Sequence, residues 1–410
     1  MSEQRFDLVV FGATSFVGQI LTRYLLETFG VGDRLAWAIA GRSEGKLQNL
    51  KTDLGMAAVD VPMIVADASD EGTLKAMCEQ TRVVVSTVGP YALYGEPLVR
   101  TCATLGTDYC DLTGEVQWIR QMIERYEEQA RQSGARIVHC CGFDSIPSDM
   151  GVYYLQKQAV ETFGAACSTV KMRVKAAKGE FSGGTVASLM NVAREAASSP
   201  ALRKELANPF SLCPPGYKSS RRQPNVKSAE YDEDFRVWLA PFVMAAINTR
   251  IVHRTNVLRD AAYGEDFAYD EAMMTGRGLK GRMAAYGITA AMGGFLVASA
   301  IRPTRWVLEQ FVVPKPGEGP SEKAQNEGFY DLRFIGKMPD GRTIRTKVTG
   351  DRDPGYGSTG KMLGQAAACL ALDIDKQTVP GGFWTPASIF GDHLIERLQQ
   401  HAGVTFSLVE

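Results

Sequence analysis

Residues Phe6–Phe11 read FDLVVF and run straight into Gly12-Ala13-Thr14-Ser15-Phe16-Val17-Gly18. The apolar run is short, rich in valine and closed by glycine, which is the pattern of a strand buried on both faces of a parallel sheet. Gly12 stands where the chain must turn sharply off such a strand, and Gly18 where a following helix must pack close to it. Thr14, Ser15, Phe16 and Val17 then fall at a helix N-terminus, whose unpaired N–H groups and positive dipole end suit a phosphate. Val17, Ile20, Leu21, Tyr24 and Leu25 recur at helical spacing, and Gly30 supplies a stop.

The same alternation repeats downstream. Strands are expected at 35–40, 61–65, 82–88, 108–112 and 135–140. An amphipathic helix over 115–133 carries Trp118, Ile119, Met122, Ile123 and Tyr126 on one face. Strand and helix in this rhythm predict an α/β, Rossmann-type doubly wound parallel sheet over 1–147. Beyond it the pattern loosens. Residues 198–234 are polar and proline-rich, a long loop or lid. Residues 329–350 form a hairpin pattern around Pro339-Asp340-Gly341. From Lys361 a helix places Leu363, Ala366, Ala367 and Leu370 on one face that must be buried somewhere. The expected organisation is the nucleotide-binding domain, a second α+β domain with a mixed or antiparallel sheet over 148–352, and a C-terminal segment, 353–410, packing back on the first domain.

Composition narrows the class. The chain has 410 residues, with Lys+Arg 45 against Asp+Glu 46 and a formal net charge of -1. A dedicated nucleic-acid binder would carry a basic surplus, so none is expected as a partner. Eight cysteines in a chain of this length are no disulfide framework. With no C-x-x-C and with His139, His253, His393 and His401 scattered, no metal site is expected. The N-terminus lacks the pattern of a signal peptide, and the expected location is the cytoplasm, with membrane association through the segment discussed below.

The end of the second strand selects the cofactor. An NAD-preferring fold places Asp or Glu there, on the ribose hydroxyls. This chain reads Ala40-Gly41-Arg42-Ser43, with Lys46 following. Arg42 can clamp a 2′-phosphate, Ser43 can hydrogen-bond to it, and Lys46 adds charge, so NADP(H) is expected. Asp67 falls where it could face the adenine. Val88, Gly89 and Pro90 would pass beneath the ribose and nicotinamide.

The turn GATSFVG, AGRSEGKL from Ala40, STVGPYALYGEPLVRTCATLGTDYCDLTGE from Ser86 and CGFDSIP at Cys141–Pro147 together resemble the saccharopine dehydrogenase-like oxidoreductases. The resemblance continues through SGGTVAS at Ser182–Ser188, FVMAAINTRIVHRTN at Phe242–Asn256 and GDRDPGYGSTGKML at Gly350–Leu363. It covers nearly the whole chain in order and is nearest to the enoyl-reductase branch. It implies an NADPH-binding fold, a middle domain on a mixed sheet, and reduction of an enoyl bond in an acyl or polyketide-type lipid. The family's middle glycine in the turn is Ser15 here. For catalysis, a donor is needed near the developing anion. Tyr91 and Tyr94, at the end of the fourth strand, are the candidates.

Two other readings compete. Tyr153 and Lys157 fit the Y-x-x-x-K pair of short-chain dehydrogenases, which would make the chain a carbonyl reductase, although the expected upstream serine is missing from His139-Cys140-Cys141. A non-catalytic, lipid-associated NADP-binding protein would share the same fold. Residues 284–301 carry no charge for 18 residues and end between arginines. That run is either a core helix of the second domain or a surface helix that meets membrane or an acyl chain. The partners expected are thus a small-molecule or acyl-chain substrate, a lipid surface met through 284–301, and a second copy in a homodimer.

Overall fold

The computed structural model describes residues 5–32, 34–179, 183–311 and 319–409. Among these, fourteen strands follow in order: β1 Phe6–Phe11, β2 Trp37–Gly41, β3 Met63–Val65, β4 Thr81–Ser86, β5 Asp108–Asp111, β6 Arg136–Val138, β7 Thr169–Lys178, β8 Glu230–Asp232, β9 Val237–Pro241, β10 Ala268–Gly276, β11 Phe329–Lys337, β12 Thr343–Gly350, β13 Gly382–Trp384 and β14 Val404–Leu408. They divide into two sheets, and the chain into two compact units.

The first unit takes Met1–Ile146 and Gly355–Gly403. Its sheet is parallel throughout, in the order β13-β6-β5-β4-β1-β2-β3. β1 sits between β2 and β4, with Val10 opposite Ile39 on one side and Val85 on the other. The direction of winding reverses there, so the carboxyl ends of β1 and β4 border the crevice where doubly wound sheets bind ligands. Apart from the edge strand β3, the strands are buried on both faces, as a parallel sheet covered by helices requires. Helix Phe16–Phe29 follows β1, and helix Val116–Ser133 follows β5.

The segment after Gly355 completes this unit. Helix Thr359–Leu372 packs on Phe16–Phe29 and across β1, β4 and β5. Beyond it β13 pairs with β6 at the sheet edge, Phe383 opposite Ile137. Arg136 ties the two parts together. Its guanidinium binds Asp108 and also donates to the carbonyls of Leu370 and Ile374, at 3.1 and 2.8 Å.

The second unit takes Pro147–Lys315, Pro320–Pro354 and Val404–Glu410. Its mixed sheet runs β14-β12-β11-β7-β10-β9-β8, with β7 and β10 parallel and the other pairs antiparallel. The last residues therefore depart from the expected 353–410 segment. Val404 and its successors carry the period-2 pattern of a strand, and β14 adds to β12 instead of staying with the first unit. Helix Ile146–Phe163 lies on this sheet. A Cβ at Gly151 would fall 2.4 Å from the Phe334 ring, so the two approach as closely as glycine permits. The 198–234 stretch is in part regular, with a helix over Pro200–Ala207 capped by Ser199. Side chains of the Ser182–Ser188 motif lie outside the described residues.

The uncharged run falls in helix Gly278–Ala300, and it is not core. Among its residues only Gly281, Ala285 and Ser299 are buried. The apolar content that suggested a core helix records what the helix loses in water, not where it is covered.

Candidate functional site

The first unit gathers four loops at the carboxyl edge of its sheet, after β1, β4, β5 and β6. The β1 turn is the tightest. Gly12 has φ +88, a left-handed value that a residue with a Cβ avoids, and a Cβ there would fall 2.7 Å from Val88 Cγ2. Gly18 lets the helix close onto the turn, since its Cβ would meet the Gly12 carbonyl at 2.2 Å.

Ser15 is more than a tolerated replacement for glycine. It is the N-cap of helix Phe16–Phe29, and its Oγ accepts the Gly18 N–H at 3.0 Å. The same hydroxyl lies 2.9 Å from Thr87 Oγ1, and Thr87 Oγ1 donates to the Gly12 carbonyl at 2.9 Å. The turn is thus laced to the end of β4. The first N–H groups of a helix have no intrahelical acceptor, and with Gly18 capped, those of Phe16 and Val17 are left to an anion. Thr14 offers its carbonyl to the Gln19 amide at 3.2 Å, and the Phe16 ring meets Tyr356 edge-on at 4.8 Å.

At the end of β2, Arg42 is exposed. Ser43 caps the next helix by accepting the Lys46 N–H at 3.4 Å, and Lys46 extends into solvent. Asp67 Oδ1 takes both the N–H and the hydroxyl of Ser69, at 2.9 and 2.8 Å. These bonds hold its carboxyl below the usual range, with Arg42 adding a smaller pull. No carboxylate stands at the end of β2 itself. The glycine cradle, the helix terminus and this exposed guanidinium all fit a phosphorylated dinucleotide.

The β4 loop runs through Val88, Gly89 and Pro90 to Tyr91 and Tyr94. Tyr91 is 5% exposed, donates its hydroxyl to the Ser86 carbonyl at 2.9 Å and packs on Trp118, ring centroids 5.5 Å apart. Burial pushes its phenol well up. Tyr94 is 51% exposed. The two tyrosines therefore differ: one props the loop from beneath, and the other presents a free surface. Glu115 was not foreseen. Its buried carboxylate accepts the N–H groups of Tyr91 and Ala92, at 2.9 and 3.1 Å, and so fixes the loop's helical start.

The loops after β5 and β6 hold a buried polar cluster. Asp111 accepts the Tyr109 hydroxyl at 3.0 Å, lies 2.7 Å from His139 Nδ1, and takes the Thr113 and Cys140 N–H groups. Cys140 has φ +62, unusual for a residue with a Cβ, and such strain concentrates at functional sites. Next to this corner, Asp144 lies between two glycines. Cβ atoms at Gly142 and Gly114 would sit 3.2 and 3.6 Å from its carboxylate oxygens. Desolvation pushes its carboxyl up to about 7, and the Asp111 charge adds to the shift. From the C-terminal segment, Thr359 Oγ1 accepts the Phe143 N–H at 3.0 Å.

The sequence reading missed Glu115, Asp111 and His139, whose residue types are common in loops. It had a signal for the cap, since Ser15 precedes an apolar-periodic helix. Tyr153, the alternative catalytic tyrosine, lies in the second unit, where the Arg259 guanidinium stacks 4.8 Å above its ring. That unit has its own buried carboxyl. Glu271 is bonded by Tyr269 and Asn248, at 2.7 and 2.9 Å, and burial pushes it up to about 7.

The comparisons with known proteins agree with this geometry. Residues 8–138 match the saccharopine dehydrogenase NADP-binding domain. A Mycobacterium tuberculosis protein provisionally named a trans-acting enoyl reductase is 41% identical over 98% of this chain and 97% of its own. The trans-acting enoyl reductase of Mycobacterium bovis is 38% identical over 97% of this chain and 96% of its own. The fold matches saccharopine dehydrogenase (L-Glu forming) from Saccharomyces cerevisiae, with TM-score 0.53 at 13% identity, over 99% of this chain and 100% of that one. It also matches homospermidine synthase from Legionella pneumophila, with TM-score 0.51 at 9% identity, over 99% of this chain and 92% of that one. With an NADP(H)-binding sheet of this form and relatives alike from end to end, the chain belongs to the saccharopine dehydrogenase-like family of NADP-dependent oxidoreductases, alongside the trans-acting enoyl reductases.

Proposed function

We propose that the chain uses NADPH to reduce a C=C (enoyl) bond of an acyl or polyketide-type lipid. The observation that carries this reading is identity of 41% and 38%, kept along nearly the whole chain, to proteins bearing the enoyl reductase name. A lipid contact through 284–301 would hold the protein at a membrane surface, where substrates of this class gather.

Gly12 and residues Thr14 to Gly18 would take the pyrophosphate. Arg42, Ser43 and Lys46 would take the 2′-phosphate, Asp67 would border the adenine, and Val88, Gly89 and Pro90 would underlie the ribose and nicotinamide. The bound cofactor supplies the hydride. What is left to the chain itself is to hold a proton where charge develops. Of the two candidate tyrosines, Tyr94 can take that role. Tyr91, its hydroxyl bonded to Ser86, positions the loop, and Tyr94 can reach substrate. Asp144 joins them as a carboxyl that is largely protonated just below neutral pH.

Replacing Arg42 by alanine removes a charged hydrogen bond worth roughly 1.5–3 kcal/mol, or about ten- to a hundredfold in NADPH affinity. NADH affinity should barely change. Titration with both cofactors checks this, and equal losses would refute the assignment. For Asp144 the sign follows from the raised carboxyl. Its folded value of about 7 lies above the ordinary value near 4, so the protonated form is favoured by the fold. Its contribution to stability is complete below about pH 4 and is lost as pH rises through about 7. The donor is lost in the same upper window, so enoyl reduction should decline above about pH 7. Asp144→Asn should lower turnover roughly a hundredfold and abolish that decline. NADPH oxidation with enoyl thioesters, against keto and imine substrates, tests the reaction class. Turnover of the latter two alone would overturn it.

A further inference from the structure

Helix Gly278–Ala300 is, among the described residues, the one helix long and apolar enough to cross a membrane, yet 11% of its most apolar window is buried. Leu279, Met283, Tyr286, Val297 and Ile301 fall on one face at helical spacing, and they are 71, 66, 50, 61 and 49% exposed. Trp306, in the following helix Arg302–Phe311, is 59% exposed. Where the face narrows, Gly287, Gly293 and Gly294 have open space around them, with nothing within 4 Å of an added Cβ. A run of large apolar side chains this long is not left in water without cause.

The charges around it indicate what covers it. Arg277, Lys280 and Arg282 stand at one end, Arg302 and Arg305 at the other, and no Asp or Glu occurs between Ala272 and Leu308. A second copy laid along this face, parallel or antiparallel, would bring cations onto cations at both ends. An anionic lipid surface complements both ends and the apolar stretch between them. Trp306 suits the same boundary, because its ring is apolar and its N–H seeks a partner.

Topology then fixes how the helix meets the lipid. The chain leaves the sheet at the end of β10 and returns at the start of β11. Both strands flank β7, and Met273 and Phe329 pair toward the same end of it. A single crossing would strand the return on the far side. Among the described residues, the returning helix Arg302–Phe311 has 10 residues, about 15 Å, half of what recrossing a hydrocarbon core of about 30 Å needs. We propose that helix Gly278–Ala300, with Trp306, lies flat on an anionic bilayer, its exposed apolar stripe in the acyl boundary and its flanking cations on the headgroups. This deepens the lipid contact of the reductase reading by naming its surface and orientation, and it stands or falls apart from the reaction.

The test is vesicle co-sedimentation of the full chain, with turnover of a short soluble enoyl thioester followed on the same preparations. Vesicles with about one-third phosphatidylglycerol should bind about tenfold more protein than neutral phosphatidylcholine vesicles, and added salt should weaken the binding. The pair Val297→Asp with Ile301→Asp, and separately Arg277→Glu with Lys280→Glu, should each cut binding to the anionic vesicles about tenfold. NADPH affinity should be unchanged, which shows the variants folded. No sedimentation with either vesicle overturns the proposal, and so does equal binding to both. A dimer in solution that Val297→Asp dissociates would make a second copy the occupant and overturn it equally. Loss of turnover with vesicle binding intact would strike the enoyl reading and leave this one standing.

Discussion

Helices Gly278–Ala300 and Thr359–Leu372 draw on nearly the same residues, chiefly Ala, Gly, Leu and Met, and they have opposite fates. In Thr359–Leu372 every residue from Thr359 to Ala371 except Lys361 is buried. Its glycines meet partners: a Cβ at Gly360 would fall 2.9 Å from Ile20 Cγ2, and one at Gly364 would fall 3.0 Å from the Tyr24 ring. Its polar groups are matched as well, Gln365 Nε2 donating to the Tyr24 hydroxyl at 2.6 Å. In Gly278–Ala300 three glycines face open space and the charges are held at the ends. Apolar content therefore measures how much a helix gains from leaving water. Which surface provides the cover depends on neighbours far away in sequence, and on whether small residues have something to approach.

The largest test of that contrast lies in the fastening of the buried helix. Arg136→Met would strip Asp108 of its main cation and leave it the partly exposed Lys376, 3.1 Å away. It would also release the Leu370 and Ile374 carbonyls. Breaking such a buried pair costs about 3–5 kcal/mol, which urea unfolding would read as an earlier midpoint. Arg282→Met on the other helix removes a cation stacked 5.3 Å from the Trp238 ring centre at the surface, worth about 0.5–1 kcal/mol. Equal losses would mean that the two helices are not differently held. Next in size is Gly364→Ala. The added methyl would press on the Tyr24 and Leu21 side chains, and overpacking of this kind costs about 1–3 kcal/mol.

The parallel sheet was legible because its strands are buried on both faces. Leu8–Phe11 and Val83–Val85, at the centres of β1 and β4, are continuous apolar runs that can be read without knowing any distant contact. The cofactor turn was legible for a similar reason, since Gly12 and Gly18 answer to local backbone geometry. The parts that bind the edge together were not. Glu115 acts on Tyr91 and Ala92 more than twenty residues away, and Asp111 gathers groups from its own strand and from the loops after β5 and β6. Asp144 stands in the sequence only as the carboxylate of CGFDSIP, and its raised value comes from burial, which no local pattern encodes. Tyr91 and Tyr94 were indistinguishable as sequence, because their difference is one of exposure. The apolar helix failed in the other direction: its composition is plain, and the absence of a covering surface is not written in it.

The smallest predicted effect has the opposite sign and separates the helices most cleanly. Gly294 lies inside Gly278–Ala300, with no atom within 4 Å of the position a Cβ would take. Alanine there loses less backbone freedom on folding than glycine does, and an exposed helix interior gains about 0.5–1 kcal/mol from the exchange. The same substitution at Gly364 should destabilise, although both glycines sit in the middle of apolar helices. Thermal unfolding of the two variants, compared with the parent chain, reads the signs directly. If Gly294→Ala also lowered Tm, some surface must already occupy that face in solution. The helix would then be covered as Thr359–Leu372 is, and the lipid would have no face to meet.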